Sequence, residues 1–136
     1  MYNFVSGRKI GADNAIVFAN NALVNTQVNV DIAIDKTTMS GPKQRCALEV
    51  YNPSTVTDLT IKLMSKAESL GSGTRYALIE TLTIPKAQTI TGTAVNAYLN
   101  LIEGFFVGGD LRLVVSNDTA LGGAEGFTAY ARLREV

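Results

Sequence analysis

Six stretches of this chain alternate apolar with polar side chains, and a period of two is the signature of a strand with one face buried. Val28, Val30, Ile32 and Ile34 fall on one side of their run, with Asn29, Asp31 and Ala33 on the other. Cys46, Leu48 and Val50 alternate with Arg45, Ala47 and Glu49, and Leu59, Ile61 and Leu63 with Asp58, Thr60 and Lys62. Tyr76, Leu78, Leu82 and Ile84 share a face interrupted by Glu80, and Leu111, Leu113 and Val115 alternate with Arg112, Val114 and Ser116. The last run is the cleanest, with Phe127, Ala129, Ala131 and Leu133 set against Thr128, Tyr130, Arg132 and Arg134. Turn formers such as Ser40-Gly41-Pro42, Asn52-Pro53-Ser54 and Gly108-Gly109-Asp110 separate the runs. Short alternating strands with turns between them predict an antiparallel sandwich or barrel. No convincing crossover helices intervene, which argues against a parallel sheet.

Two regions depart from the pattern. Residues 1–27 hold apolar patches at Phe4-Val5 and Ala15-Ile16-Val17-Phe18 without sustained alternation. They read as an N-terminal arm and a first strand that lies along the domain edge or reaches a neighbour, ahead of a sandwich spanning 28–136. Between 93 and 106, Val95, Tyr98, Leu99, Ile102 and Phe106 have helical spacing behind a capping Thr93. The same stretch reads equally as a strand, so at most one short helix is expected. With 136 residues the chain fits a single domain that buries roughly two-thirds of its unfolded surface.

The chemistry is defined by what is missing. There is no histidine, the usual general base near neutral pH and the commonest metal ligand. With one cysteine besides, zinc ligation of the usual kind is nearly excluded, and no disulfide can form within the chain. Cys46 reads as a small buried apolar side chain. Gly71-Ser72-Gly73-Thr74 lacks the lysine and glycine spacing of a phosphate-binding loop and reads as a hairpin turn. Asn117-Asp118-Thr119 has the spacing of a glycosylation acceptor, read here as a chance match. Asp31 and Asp35 are expected to be solvated. Glu80, on the apolar side of its run, is expected to pair with an arginine such as Arg112, with a bulge or a subunit contact as alternatives. No catalytic residue, cofactor or metal is assigned, and the reading is of a protein that is not an enzyme.

Charge points the same way. Twelve basic residues balance twelve acidic ones, and the only basic cluster is Arg8-Lys9, so nucleic acid is not an expected partner. No run is long enough to span a bilayer as a helix, and no membrane partner is expected. Only 18% of residues are charged against 46% apolar, which suggests surface covered by another protein and a symmetric homo-oligomer.

The layout resembles the small jelly-roll cement, or decoration, proteins of tailed-phage capsids. The likeness consists of an arm ending in Ala22-Leu23-Val24-Asn25-Thr26, the first clean strand Val28–Ile34, and central ladders with Gly/Ser/Thr turns. It is sharpest at Asp110-Leu111-Arg112-Leu113-Val114-Val115, followed by a Gly/Thr/Ala loop and Phe127-Thr128-Ala129-Tyr130-Ala131-Arg132-Leu133. Gly104-Phe105-Phe106-Val107 has no counterpart in the family pattern. The resemblance implies an antiparallel, jelly-roll-like β-sandwich with an extended N-terminal arm. It further implies a virion structural protein, made in the host cytoplasm, that binds the capsid exterior and staples neighbouring capsomers. Its partners would be the major capsid protein and other copies of itself, as a homodimer or homotrimer. Tyr2, Phe4 and Val5 would form a clamp, with Ile16, Val17 and Phe18 as further interface candidates. The alternative expectation is a receptor- or glycan-binding β-sandwich module of a phage tail, in which exposed tyrosines among Tyr51, Tyr76, Tyr98 and Tyr130 would serve as sugar platforms.

Overall fold

A computed structural model describes residues 9–20, 22–32, 45–68, 74–90, 93–95, 101–106 and 110–135. The described residues are all-β, in ten strands. These are β1 (Lys9–Phe18), β2 (Gln27–Ile32), β3 (Arg45–Tyr51), β4 (Leu59–Glu68), β5 (Thr74–Ile84), β6 (Gln88–Ile90), β7 (Thr93–Val95), β8 (Leu101–Phe106), β9 (Leu111–Asn117) and β10 (Phe127–Glu135). Strands β7 and β8 replace the helical alternative for 93–106 wherever that stretch is described.

Two antiparallel sheets pack face to face, with strand orders β1-β10-β3-β8 and β2-β9-β4-β5. A small β6–β7 hairpin lies in the connection from β5 to β8. The pairing is nested. The first long strand lies against the last (β1 with β10), the second against the one before it (β2 with β9), then β3 against β8 and β4 against β5. Successive nested pairs alternate between the sheets, and the lateral pairs β10–β3 and β9–β4 complete each one. Of the antiparallel sandwich or barrel expected from the alternation, it is the sandwich that forms. Strand β1 comes from the 1–27 segment and is the edge strand of the first sheet.

The core is filled mostly by the residues that the alternation pointed inward, joined by Ile16 and Phe18, which the sequence reading placed among interface candidates. From the first sheet come Ile16, Phe18, Cys46, Leu48, Val50, Ala129, Ala131 and Leu133; from the second come Ile32, Leu59, Ile61, Leu63, Ile84, Leu111, Leu113 and Val115. Val28 and Val30 pack against this cluster and are only half-buried, as the edge position of β2 dictates. Ile34 lies outside the described residues. Cys46 is buried as expected. Leu121, in the β9–β10 connection, plugs one end of the core, and Phe127 stacks on Phe18 with ring centroids 4.9 Å apart. The approach of that connection to β1 is close, so that any side chain at Gly126 would push its neighbours aside. A Cβ on Gly126 would lie 3.0 Å from Asn20 Oδ1 and 3.1 Å from the Phe18 carbonyl.

Two bulges interrupt the ladders, and the one in β5 is the bulge expected as an alternative at Glu80. In β5, Leu63 lies opposite Glu80 and Met64 opposite Leu78, leaving Ile79 as an extra residue. Side-chain parity reverses there, so Leu82 and Ile84 face the core, whereas Tyr76 and Leu78 turn to the outer surface. Glu80, at the bulge on an edge strand, is exposed, and it does not pair with Arg112, which is held by Asp31. In β1 the register slips between Ile10 and Asn14, and the bulged Asp13 receives both hydrogen bonds of the Arg132 guanidinium, at 2.8 and 2.7 Å.

Inside and outside positions of β10 therefore differ sharply in expected cost. Leu133→Ala opens a cavity between the sheets and is expected to lower stability by about 2–5 kcal/mol. Arg132→Ala removes a half-exposed ion pair and should cost about 1 kcal/mol or less. Denaturant unfolding of the two variants checks this, and equal losses would show that the register of β10 is wrong.

Candidate functional site

Continuing the alternation of β3 and β9 by one inward position reaches Asn52 and Asn117, both fully buried. A buried amide is tolerated only when its donors and acceptor find partners, and here the partners are the connections of one end of the sandwich. Asn52 Nδ2 donates to the carbonyls of Thr57 at 3.1 Å, Pro85 at 3.3 Å and Ile84 at 3.4 Å, while its Oδ1 accepts from Ser54 N at 3.0 Å. Asn117 Nδ2 donates to the carbonyls of Leu23 at 2.9 Å and Thr119 at 3.2 Å, and its Oδ1 accepts from Thr26 N at 2.8 Å. Thr57 Oγ1 joins the two centres by accepting from Asp118 N and Thr119 N. Gly126 N donates to Asn20 Oδ1 at 2.8 Å. Among the described residues, the connections β1–β2, β3–β4, β9–β10 and the start of β5–β6 are thereby tied to one another at this end. The burial and bonding of Asn117 also agree with reading its acceptor spacing as chance.

This anchoring shapes a groove on the outer face of the second sheet. Its volume is about 280 Å³ and it is lined by Asn25, Gln27, Thr60, Lys62, Val114 and Ser116. Gln27, Ser116 and Thr60 stand side by side on β2, β9 and β4; in the next row Val114 lies between Asn29 and Lys62. Asn25 closes one wall at a φ of 60°, a left-handed conformation that asparagine tolerates, with its N–H donating to the Asn117 carbonyl at 2.8 Å. On the other side Thr60 Oγ1 donates to the Asp118 carboxylate at 2.9 Å.

One row further along, the same face is internally satisfied. Arg112 donates to both oxygens of Asp31, at 2.6 and 2.9 Å, and its guanidinium lies 4.4 Å above the Tyr76 ring. Asp31 is thus exposed but paired, which corrects the expectation of simple solvation; Asp35 lies outside the described residues. Hydrogen bonds from Arg112 hold the Asp31 carboxyl below the ordinary range, outweighing the opposing effect of burial. The outer face of the first sheet carries a comparable ladder: Asp13 on Arg132, then Glu49 bridged to Arg134 at 2.7 Å.

The predicted interface residues are dispersed. Tyr2, Phe4 and Val5 lie outside the described residues. Ile16 and Phe18 are core residues of their own chain, because the alternation of β1 points both of them inward; their place among the interface candidates is corrected accordingly. Val17 points outward and is 60% exposed. Its neighbours on that face include Tyr130, 45% exposed, which sits opposite Ala15 on one side and Tyr51 on the other. Tyr76 is on the opposite face of the sandwich, so the described tyrosines do not gather at one loop end, and Tyr98 lies outside the described residues. The sequence reading missed the groove because its residues come from three strands and a loop whose order in the sheet is not encoded locally. No family model, curated protein or solved structure matches the chain.

Two outcomes are expected here. Asn52→Ala leaves the Thr57 and Ile84 carbonyls and the Ser54 N–H without their partner, and should cost about 1–3 kcal/mol for each group that water does not reach, read by denaturant unfolding.

The second concerns Asp13. The Arg132 hydrogen bonds, reinforced by the charges of Arg132 and Lys9 against the effect of burial, bring its carboxyl from 3.8 to about 2. A carboxyl depressed in the folded state adds stability above its unfolded value, and that stability is lost as pH falls through the folded value. Asp13→Asn should therefore melt below the parent at pH 7, with the gap closing between about pH 5 and pH 2. A gap independent of pH would show that the pair contributes nothing to stability.

Proposed function

We propose that this protein is a virion structural protein, a capsid cement protein of the jelly-roll type that binds the outside of a phage capsid and staples neighbouring capsomers. The observation that carries the reading is the nested strand order, β1 with β10, β2 with β9, β3 with β8 and β4 with β5, distributed alternately over two sheets. We read that order as the winding of a double Greek key, as jelly rolls have. It adds to the resemblance in layout a topology that the alternation alone does not specify.

The physical demands of such a role fit the molecule. A stapling protein needs a stiff body, and the tied connections at the Asn52–Asn117 end supply one. It also needs a place where contact with a neighbour begins. Strand β1 is a sheet edge, and from Asn14 to Phe18 it carries no charge that would discourage pairing. An extended segment can add to such an edge through main-chain hydrogen bonds. Val17 and Tyr130 beside it supply apolar contact, and weak contacts of this kind gain strength when repeated around a symmetric shell. Tyr2, Phe4 and Val5 form the clamp in this reading, and the self-association is a homodimer or homotrimer.

Deleting residues 1–8 tests the proposal, because it leaves every described strand of the sandwich in place. The truncated chain should keep its thermal midpoint while co-sedimentation with purified capsids weakens about tenfold or more, equivalent to about 1.4 kcal/mol. Unchanged capsid binding would place the contact elsewhere. Failure of the full-length chain to bind capsids would remove the reading.

A further inference from the structure

We infer that the groove over β9 is a binding site for a neutral, hydroxyl-rich ring, such as one residue of an oligosaccharide. The inference does not depend on the capsid reading, since it concerns the outer face of the second sheet and uses neither the arm nor β1.

The first ground is the contrast between neighbouring rows of one sheet face. Asp31, Arg112 and Tyr76 satisfy one another through two charge-assisted hydrogen bonds and a cation–π contact. In the groove, by contrast, the side chains of Asn25, Gln27, Lys62 and Ser116 have no hydrogen-bond or ion-pair partner among the described residues. They converge on a single concavity from β2, β4, β9 and the β1–β2 connection. Two amides, a hydroxyl and an ammonium supply donors and acceptors in the mixture that vicinal hydroxyl groups require.

The second ground is the floor. Val114 is the one apolar side chain among the lining residues, and polar groups flank it on both sides. A sugar ring is amphipathic in the same sense, with a C–H face and a rim of hydroxyls. Charge around the groove is mixed, with Lys62 in the lining and the Asp118 carboxylate accepting from Thr60 beside it. The volume of about 280 Å³ sits at the small end of ligand pockets, which run from about 300 Å³ upward. It accommodates one ring rather than a chain of them, and without an aromatic platform the affinity is modest.

The third ground is rigidity. The wall residue Asn25 is fixed by its bond to the Asn117 carbonyl, and the next residue by the bond from Thr26 N to Asn117 Oδ1. Thr60 is fixed by Asp118, whose own backbone N–H is bound by Thr57 Oγ1. Walls positioned by buried groups need little ordering when a ligand arrives, which reduces the cost of binding.

The experiment is an amide chemical-shift titration of the full chain with neutral mono- and disaccharides. Saturable shifts at residues 25, 27, 62, 114 and 116, with a dissociation constant on the order of 1–10 mM, are the expected result. Asn25→Gly, which keeps the left-handed backbone while removing the amide, combined with Gln27→Ala should weaken binding about tenfold at an unchanged thermal midpoint. If that double variant does not fold, the exposed Gln27→Ala and Lys62→Gln single variants decide the point in its place. Shifts that are absent, unsaturable or centred elsewhere would overturn the inference, as would binding that survives the substitutions. Sodium acetate and inorganic phosphate are the control ligands. Shifts induced by these anions alone, and lost in Lys62→Gln, would show a simple cation and overturn it as well.

Discussion

Two buried amides hold the closed end of this sandwich, and much of the described structure is arranged around satisfying them. Asn52 and Asn117 stand where the next core residue of β3 and β9 would be. An apolar residue there would fill space but would leave the surrounding carbonyls and N–H groups without partners, and a buried main-chain group without a partner costs more than a contact gains. The amides instead engage Ser54, Thr57, Ile84 and Pro85 on one side, and Leu23, Thr26 and Thr119 on the other. Because the partners belong to connections remote in sequence, bonds at two residues hold together parts of the chain that are far apart along it.

The winding gives the molecule two outer faces of different character. The first sheet shows an ion-pair ladder from Asp13 to Arg134 next to the apolar Val17 and Tyr130, at the edge strand. The second shows a locked Asp31–Arg112–Tyr76 row next to Asn25, Gln27, Lys62 and Ser116, whose side chains have no partner among the described residues. On each face a charged row is satisfied internally and leaves the neighbouring row available for contact. Exposed pairs of this kind add little to stability, but they fix the orientation of long side chains that would otherwise cover those rows.

Edges are managed with equal economy. The extra residue Ile79 twists β5, and Glu80 stands beside it; Gln27, Asn29 and Asp31 make the exposed side of β2 polar. Bulges and charges are ordinary protections against unwanted edge pairing. Strand β1 has such protection only in its first half, where the bulge and Asp13 lie. Its second half is the open part of the edge, and both the capsid reading and any self-association draw on that asymmetry.

Side-chain parity along a strand is a local property, so the class of the fold and most of the core are legible in the order of residues alone. Leu59, Ile61 and Leu63, Leu111, Leu113 and Val115, and the whole of β10 lie on the faces that alternation assigned to them. The same parity, carried one step further, would have marked Asn52 and Asn117 as buried, although both had been read only as parts of turns or motifs. What the sequence could not supply was strand order, since alternation says which way a side chain points and not which strand lies beside it. The pairing of Arg112 with Asp31 rather than Glu80, and of Arg132 with Asp13, depends on which strands are neighbours and on local bulges. So does the groove, whose residues come from positions 25 to 116 and meet only because β2, β9 and β4 are adjacent. Local chemistry set the faces, and long-range pairing decided which residues share them.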